Sequence, residues 1–171
     1  MRFGDFLKAT VLLSAASATL LAALTVIALS NDVDERTVYL SAIWWLGASL
    51  IGLYIGRGRH PSPAISRLLA SARSQTLLPE LQPGRTLLNR LWPLLISTLG
   101  AGVLAVFQPQ VASIAAGFAL IWALAWRRQE AAVAAIEERD GVRFYVDRTS
   151  PLSPIQLIRT PGFGGTFLRQ S

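Results

Sequence analysis

Hydrophobic residues form a few long runs in this chain, and the longest extends from Leu91 to Trp126 without one Asp, Glu, Lys, Arg or His. At about 1.5 Å per residue, a single helix of that length would be far longer than the hydrocarbon core of a bilayer, which is about 30 Å thick. The tripeptide Gln108-Pro109-Gln110 interrupts the run at its middle. The pattern therefore predicts a helical hairpin, which either spans the bilayer or re-enters it from one side.

Two more runs, residues 9–31 and 37–56, carry no charged side chain. About 20 apolar residues are enough for one transmembrane helix. We therefore predict an all-α integral membrane protein with four transmembrane helices arranged as two hairpins, at about residues 9–29, 38–56, 87–107 and 111–126. The last helix is expected to continue to about residue 139, because its Ala and Glu residues are strong helix formers.

Local signals mark several helix ends. Asn89 is expected to cap the third span, which places Pro93 in its first turn, where proline is tolerated. Gly141 is expected to end the last helix as a left-handed cap. Residues 1–30 resemble a signal peptide with a cleavage site at Ala28-Leu29-Ser30. Their apolar core of about 20 residues is longer than that of a signal peptide, which favours a retained span.

The connection between the second and third spans predicts a short amphipathic helix. Ser62 is suited to cap it, and Pro63 occupies the first helical position. Arg67 lies on the polar face, so the helix is suited to the plane of the lipid headgroups. Pro83-Gly84 is expected to form a turn. The apolar positions recur at helical spacing: Ile65, Leu68, Leu69 and Ala72.

The C-terminal region differs from the rest of the chain. Residues 142–146 have the composition of a β-strand, and the Pro- and Gly-rich residues that follow predict an extended, poorly ordered tail. We therefore divide the chain into a transmembrane domain, residues 1–139, and a cytoplasmic strand and flexible tail, residues 140–171. Because a single strand is not stable, this strand must pair within the tail, with another copy or with a partner.

The net charge of +6 is unevenly distributed along the sequence. The 57–90 connection has a net charge of +5, whereas residues 30–37 have a net charge of −2. Cytoplasmic loops of membrane proteins carry an excess of Arg and Lys, which predicts a multi-pass plasma-membrane protein with both termini in the cytoplasm. Fifteen of the sixteen basic residues are Arg, a bias that favours a bacterial origin.

The basic residues flank the predicted spans, which indicates a membrane surface as their partner and argues against nucleic-acid binding. Anionic headgroups attract each nearby basic residue by about 1 kcal/mol. The candidate headgroup contacts are Arg57, Arg59, Arg67, Arg73, Arg127 and Arg128.

Small residues recur at every fourth position of each span, which predicts close helix packing. Trp44 and Trp45 lie deeper than an interfacial aromatic belt requires. We expect them to pack or contact lipid, and the alternative is a platform for a ligand. The ridges are Ser14/Ala18/Ala22, Ala48/Gly52/Gly56, Ser97/Ala101/Ala105 and Ala115/Ala119/Ala123.

The sequence offers little catalytic chemistry. Ionisable residues inside spans usually mark ion or proton pathways, and the predicted spans contain none apart from Arg90, near the start of the third. The chain has no Cys and a single histidine, His60, so thiol chemistry and a paired histidine metal site are excluded. The acidic residues at positions 130–140 have Arg neighbours, so a solvated helix face with ion pairs three or four residues apart is favoured over acid–base catalysis. The acidic residues are Glu130, Glu137, Glu138 and Asp140, and the neighbours are Arg127, Arg128 and Arg139. We predict no catalytic residue, metal ligand or cofactor.

These patterns favour a non-enzymatic scaffold or accessory subunit that binds a partner through its cytoplasmic face. Large apolar groups in the tail have no evident core to bury them, and exposed apolar clusters commonly mark interaction sites. The candidate docking residues are Arg143, Phe144, Tyr145 and Phe163. The alternatives are an oligomeric permease for a small solute or lipid, and a membrane enzyme acting on lipid.

Overall fold

A computed structural model describes residues 1–31, 35–58, 60–74, 83–147 and 154–161. The chain is mostly helical, and it has four helices that are long and apolar enough to cross a membrane, as predicted. The helices are α1 Phe3–Asn31, α2 Glu35–Ile55, α3 Pro63–Ala70, α4 Pro83–Leu104, α5 Pro109–Trp126 and α6 Gln129–Asp140. The strands are β1 Arg73–Ser74, β2 Val142–Val146 and β3 Leu157–Pro161.

Helix α4 begins earlier than the sequence predicted. Pro83 opens the helix, because proline fits the first helical position, where its missing N–H needs no partner. The prediction of a turn at Pro83-Gly84 and of a cap at Asn89 was therefore wrong. Pro93 lies inside the helix rather than in its first turn. Since proline has no N–H, the carbonyl of Asn89 loses its helical donor.

The predicted start of α3 and the predicted end of α6 are confirmed. The Ile65 N–H donates to Ser62 Oγ at 3.4 Å, so Ser62 caps α3 ahead of Pro63. Gly141 ends α6 with φ 62° and ψ 31°, and its N–H donates to the Glu137 carbonyl. The last helix does not continue unbroken, because a turn at residues 127–128 separates α5 from α6.

The chain divides into two compact units. The bundle unit consists of Ala9–Arg57 and Leu91–Arg127, and the sheet unit consists of Met1–Lys8, Gly58–Arg90 and Arg128–Ser171. The units therefore cut the chain at other places than the predicted boundary after residue 139. Each unit is formed by segments that lie far apart in the sequence.

In the bundle unit, α2 and α5 pack closely and run in parallel. Ser113 Oγ donates to Ser41 Oγ at 2.8 Å near the starts of the two helices. Further along, a Cβ placed on Gly52 would lie 3.1 Å from the Cα of Ile121. A Cβ on Gly56 would collide with the Leu124 carbonyl oxygen. The predicted Ala48/Gly52/Gly56 ridge is therefore the surface on which α2 approaches α5.

Small side chains also fill the centre of the bundle unit, where Leu21 of α1 packs with Ala101, Ala105, Ala112 and Ala116 of the α4–α5 hairpin. The larger apolar side chains point outward. Exposed examples from each long helix are Leu20, Ile43, Leu50, Leu99, Val103 and Phe118.

The sheet unit contains a three-stranded sheet of order β1-β3-β2. β1 pairs with β3 in parallel, and β2 pairs with β3 antiparallel from Val142↔Pro161 to Val146↔Leu157. The predicted strand at residues 142–146 is confirmed, and its partner lies within the tail. The expectation of a poorly ordered tail was wrong for Leu157–Pro161, because backbone hydrogen bonds to β2 fix that segment.

The sheet unit has its own hydrophobic core. Strand β2 buries Phe144 and Tyr145, which remain 3% and 6% exposed. Ile65 of α3 and Val133 of α6 are also fully buried, so the short helices contribute to the same unit. The other large buried apolar side chains are Phe3, Phe6, Leu7, Val142, Val146, Leu157 and Ile158.

Candidate functional site

The predicted docking residues occupy different environments. Phe144 and Tyr145 are buried, so the expectation that no core of this chain buries them was wrong. Arg143, between buried neighbours on β2, is exposed. Phe163 lies outside the described residues. The part of the docking prediction that remains on a described surface is therefore the Arg143 guanidinium, and the aromatic residues beside it hold its strand in place.

The outer edge of β2 is occupied by other parts of the same chain. The Phe144 N–H donates to Glu137 Oε1 at 2.8 Å. The Val146 N–H donates to the Met1 carbonyl at 3.0 Å, and Arg2 forms an antiparallel bridge with Tyr145. A partner strand therefore finds no free donors at these positions, which makes strand addition along this edge unfavourable.

Three arginines share one face of the sheet. Arg73 lies opposite Ile158, which lies opposite Tyr145, and Arg2 bridges to Tyr145 from the other side. Residues that lie directly opposite each other share a face, and so does Arg143, two residues before Tyr145. All three guanidinium-bearing residues are exposed. We call Arg2, Arg73 and Arg143 the basic sheet face.

Sequence reasoning missed two of these three residues. Arg73 was predicted only as a headgroup contact, and Arg2 was not singled out. Their proximity to Arg143 follows from strand pairing between distant segments, which no local pattern reports.

Charge is divided sharply between the two units. Thirteen of the sixteen basic and seven of the ten acidic residues belong to the sheet unit, which gives it the entire formal net charge of +6. The bundle unit has three of each sign and no net charge. An anionic partner is therefore attracted to the sheet unit and to local clusters on the bundle unit.

The candidate headgroup arginines are distributed over both units. Arg57, Arg67, Arg73, Arg127 and Arg128 are exposed, and Arg59 lies outside the described residues. The Arg57 guanidinium carbon lies 4.2 Å from the centroid of the Tyr54 ring, a cation–π contact at the end of α2. Of the six residues, Arg57 and Arg127 lie within two residues of the ends of the paired helices α2 and α5 of the bundle unit.

Two acidic residues of α6, Glu137 and Asp140, accept hydrogen bonds from other groups of the protein. Glu137 accepts the Phe144 N–H, as described above. Arg139 Nε donates to Asp140 Oδ1 at 2.8 Å, and this hydrogen bond holds the pKa of Asp140 below its usual value. The sequence predicted ion pairs between residues three or four apart, whereas this pair joins neighbouring residues. This placement agrees with the prediction of a solvated helix face.

His60 and Ser62 do not form a nucleophile–base pair. Ser62 Oγ accepts the Ile65 N–H, and the Ser62 N–H donates to Gln129 Oε1 at 2.9 Å. Within the described ranges, His60 makes no hydrogen bond with Ser62 or with a carboxylate, and no three His, Asp or Glu side chains are grouped to hold a metal ion.

Trp44 and Trp45 fasten α2 to α5. The Trp44 indole N–H donates to the Ile114 carbonyl at 3.2 Å, and the Trp45 indole N–H donates to the Ser113 carbonyl at 3.0 Å. Gly117 leaves the space into which Trp44 fits. Of the two interpretations of these tryptophans, the contacts favour packing over a ligand platform.

Comparison with known proteins found no match for this chain among protein-family models, curated proteins or solved structures. Any inference about its function therefore rests on the fold and on the arrangement of its side chains.

Proposed function

We propose that this protein is a non-enzymatic membrane scaffold that holds the sheet unit at the cytoplasmic surface and docks an acidic segment of a partner protein on the basic sheet face. The observation that carries the proposal is the position of Arg2, Arg73 and Arg143, which are exposed around a buried centre on the same face. Tyr145 and Ile158 form that centre. Fixed guanidinium groups favour carboxylate ligands because they donate in a planar fork.

The composition of the sheet unit supports its placement on one side of a membrane. Two long helices separate Met1–Lys8 from Gly58–Arg90, and two more separate that segment from Arg128–Ser171. Contacts nevertheless join all three, through the Val146–Met1 and Ser62–Gln129 hydrogen bonds and the β1–β3 pair. Segments separated by an even number of crossings lie on the same side, which supports the part of the proposal that places both termini on one side of the membrane.

The packing of α2 on α5 supports a spanning hairpin rather than a re-entrant one. Ser113, four residues after the start of α5, lies beside Ser41, six residues after the start of α2. The start of α5 is therefore level with the start of α2 along the parallel pair. If α2 crosses the bilayer, α5 crosses the same thickness, and the Gln108–Gln110 turn reaches the far headgroup region.

Three buried hydroxyl groups make contacts that favour a scaffold over a permease, whereas the buried Ser14 Oγ has no hydrogen-bond partner within the described residues. Ser41 and Ser113 bond to each other, and the Thr25 hydroxyl donates to the Leu21 carbonyl at 2.8 Å. These hydroxyl groups make hydrogen bonds between helices or within one helix, whereas a solute path needs hydroxyl groups that face an opening. A permease is therefore the weaker proposal.

Charge reversal on the basic sheet face tests the docking proposal. We expect the R73E/R143E variant, extracted in mild detergent, to lose a partner that co-purifies stoichiometrically with the wild type, because like charges oppose binding. The matched control is R67E/R159E, which makes the same change in net charge at exposed residues of α3 and β3. Arg159 alternates with Ile158 and so lies on the other face of the sheet.

The outcomes separate a specific face from general basicity. Loss of the partner in R73E/R143E alone supports the basic sheet face. Equal loss in both variants would reduce the effect to net charge, and retention in both would remove the proposed docking site. Hydrogen exchange of the sheet-unit amides establishes that each variant is folded.

A further inference from the structure

Each arginine of the basic sheet face comes from a different segment of the sheet unit. The assignments are Arg2 in Met1–Lys8, Arg73 in Gly58–Arg90 and Arg143 in Arg128–Ser171. The pairing of β1 with β3 and of β3 with β2 places the second and third of these arginines. The first is placed by a separate contact, so the face is complete only where all three segments have come together.

The segment that carries Arg2 is held at the outer edge of β2. The Val146 N–H donates to the Met1 carbonyl at 3.0 Å, and Arg2 forms an antiparallel bridge to the same strand. On the other side of the strand, the Asp147 N–H donates to the Gln156 carbonyl at 2.9 Å. Neighbouring N–H groups of a strand point to opposite sides, so the pairing with Met1 can be lost while β2 stays paired with β3.

Arg2 and Arg143 are close neighbours once this pairing has formed. Arg2 lies opposite Tyr145, and Arg143 lies two residues before Tyr145 on the same face. Diagonal neighbours of this kind lie about 7–8 Å apart from Cα to Cα, so one short acidic segment can contact both arginines. Asp147 lies two residues beyond Tyr145, so an acidic ligand is expected on the Arg143 side of Arg2.

On the basis of the docking proposed above, we infer that the basic sheet face is a composite site, completed when the Met1–Lys8 segment pairs with β2 and supplies Arg2. An acidic segment binds at full affinity to the assembled sheet unit, and only to Arg73 and Arg143 when the pairing is absent. Binding and pairing favour each other by the same factor, so the bound partner also stabilises the pairing. The partner therefore recognises the sheet unit in which all three segments are joined.

The affinity for an acidic peptide tests the contribution of Arg2. Fluorescence anisotropy with a labelled polyglutamate peptide measures binding to the full chain in phosphatidylcholine nanodiscs. R2Q should weaken binding about tenfold, because one hydrogen bond between charged groups is lost. The matched control is K8Q, which removes the same charge from an exposed residue of the same segment and should bind like the wild type.

The V146P substitution tests the pairing without changing an arginine. It deletes the N–H that bonds to Met1, and proline is tolerated at the edge of a sheet. We expect V146P to weaken peptide binding about tenfold, as R2Q does. The double variant R2Q/V146P should bind no more weakly than V146P, because Arg2 contributes only while its segment is paired. V146A is the matched control, since it shortens the same side chain but keeps the N–H.

Hydrogen exchange at the Val146 amide reports the pairing directly. Saturating peptide should slow the exchange that follows loss of the pairing by about tenfold in the wild type, because the coupling between binding and pairing is reciprocal. In R2Q the peptide should leave the exchange of this amide unchanged, since it then gains nothing from the pairing. Exchange at the neighbouring Asp147 amide shows that β2 and β3 remain paired in each variant.

The outcomes keep this inference apart from the docking proposal on which it rests. If the charge-reversal variant of the basic sheet face binds the peptide like the wild type, the docking proposal itself fails. If that variant loses binding but R2Q matches K8Q, or V146P matches V146A, the face binds without the Met1–Lys8 segment and the composite site is overturned. Additive losses in R2Q/V146P, about a hundredfold together, would overturn it as well.

Discussion

The bundle unit and the sheet unit bury opposite kinds of side chain. In the sheet unit, aromatic and branched residues such as Phe3, Phe144 and Ile158 are inside, and arginines are outside. In the bundle unit, alanine, glycine and serine are inside, as at Ala48 and Ala112, which are 0% exposed, while large apolar side chains such as Leu99 face outward.

The difference is the one expected between a unit in water and a unit in lipid. Water drives large apolar groups into a core, which is the pattern of the sheet unit. Lipid gives apolar groups no reason to leave the surface, so helices associate through small residues that allow close approach. One chain therefore uses two packing rules, and the location of the net charge in the sheet unit agrees with the same division.

The largest expected effect is the labelling of a cysteine from one side of the membrane and its complete protection from the other. Because the chain has no native cysteine, single cysteines at positions 34, 71 and 108 can be labelled with an impermeant thiol reagent. We expect D34C and Q108C to react from outside and S71C only from inside. Reaction of S71C from outside would invert the topology, and protection of Q108C while D34C reacts would mean a re-entrant hairpin.

The second prediction compares the loss of one phenylalanine ring from each unit. Phe144→Ala empties a buried site and should lower the unfolding free energy of the sheet unit by about 3–5 kcal/mol. Phe107→Ala removes a ring that is 78% exposed in the bundle unit and should change stability by less than about 0.5 kcal/mol. Hydrogen exchange of the full chain in nanodiscs measures both. Equal effects would mean that the two units do not follow different packing rules.

The third prediction adds atoms instead of removing them. Gly56→Ala should destabilise the α2–α5 pair by about 1–3 kcal/mol, because the new methyl group meets backbone atoms of Leu124. The control is Gly47→Ala on the same helix, where a Cβ meets nothing within 4 Å. Thermal unfolding in detergent compares them. A control variant as unstable as Gly56→Ala would attribute the loss to helix chemistry rather than to close packing.

Signals confined to a few neighbouring residues predicted the fold well. The uncharged runs gave four long apolar helices, Ser62 and Gly141 gave two helix caps, and residues 142–146 gave a strand. The caps and the strand depend on residues within about one or two turns of each other, and the long helices depend on uninterrupted runs of about 20 residues. The start of α4 was one exception, because Asn89 and Pro83 both carry helix-start signals and the chain uses the earlier one. The break between α5 and α6 at residues 127–128 was another.

These local signals did not predict the contacts between segments that lie far apart in the sequence. β3 has a Pro at its end and no clear alternation, so only its pairing with β2 identifies it as a strand. The burial of Phe144 and Tyr145 depends on a core assembled from three separate segments. For the same reason, the sequence named Arg143 as a docking residue but did not bring Arg2 and Arg73 to the same face.

The hydrogen bond between Val146 and Met1 also constrains how the protein is made. Met1 can form this hydrogen bond only after Val146 has been synthesised, and at about 5–20 residues per second the intervening chain takes about 7–30 s. The sheet unit is therefore completed only after the four long helices have been made. In a membrane, its assembly would require that those helices leave all three of its segments on one side.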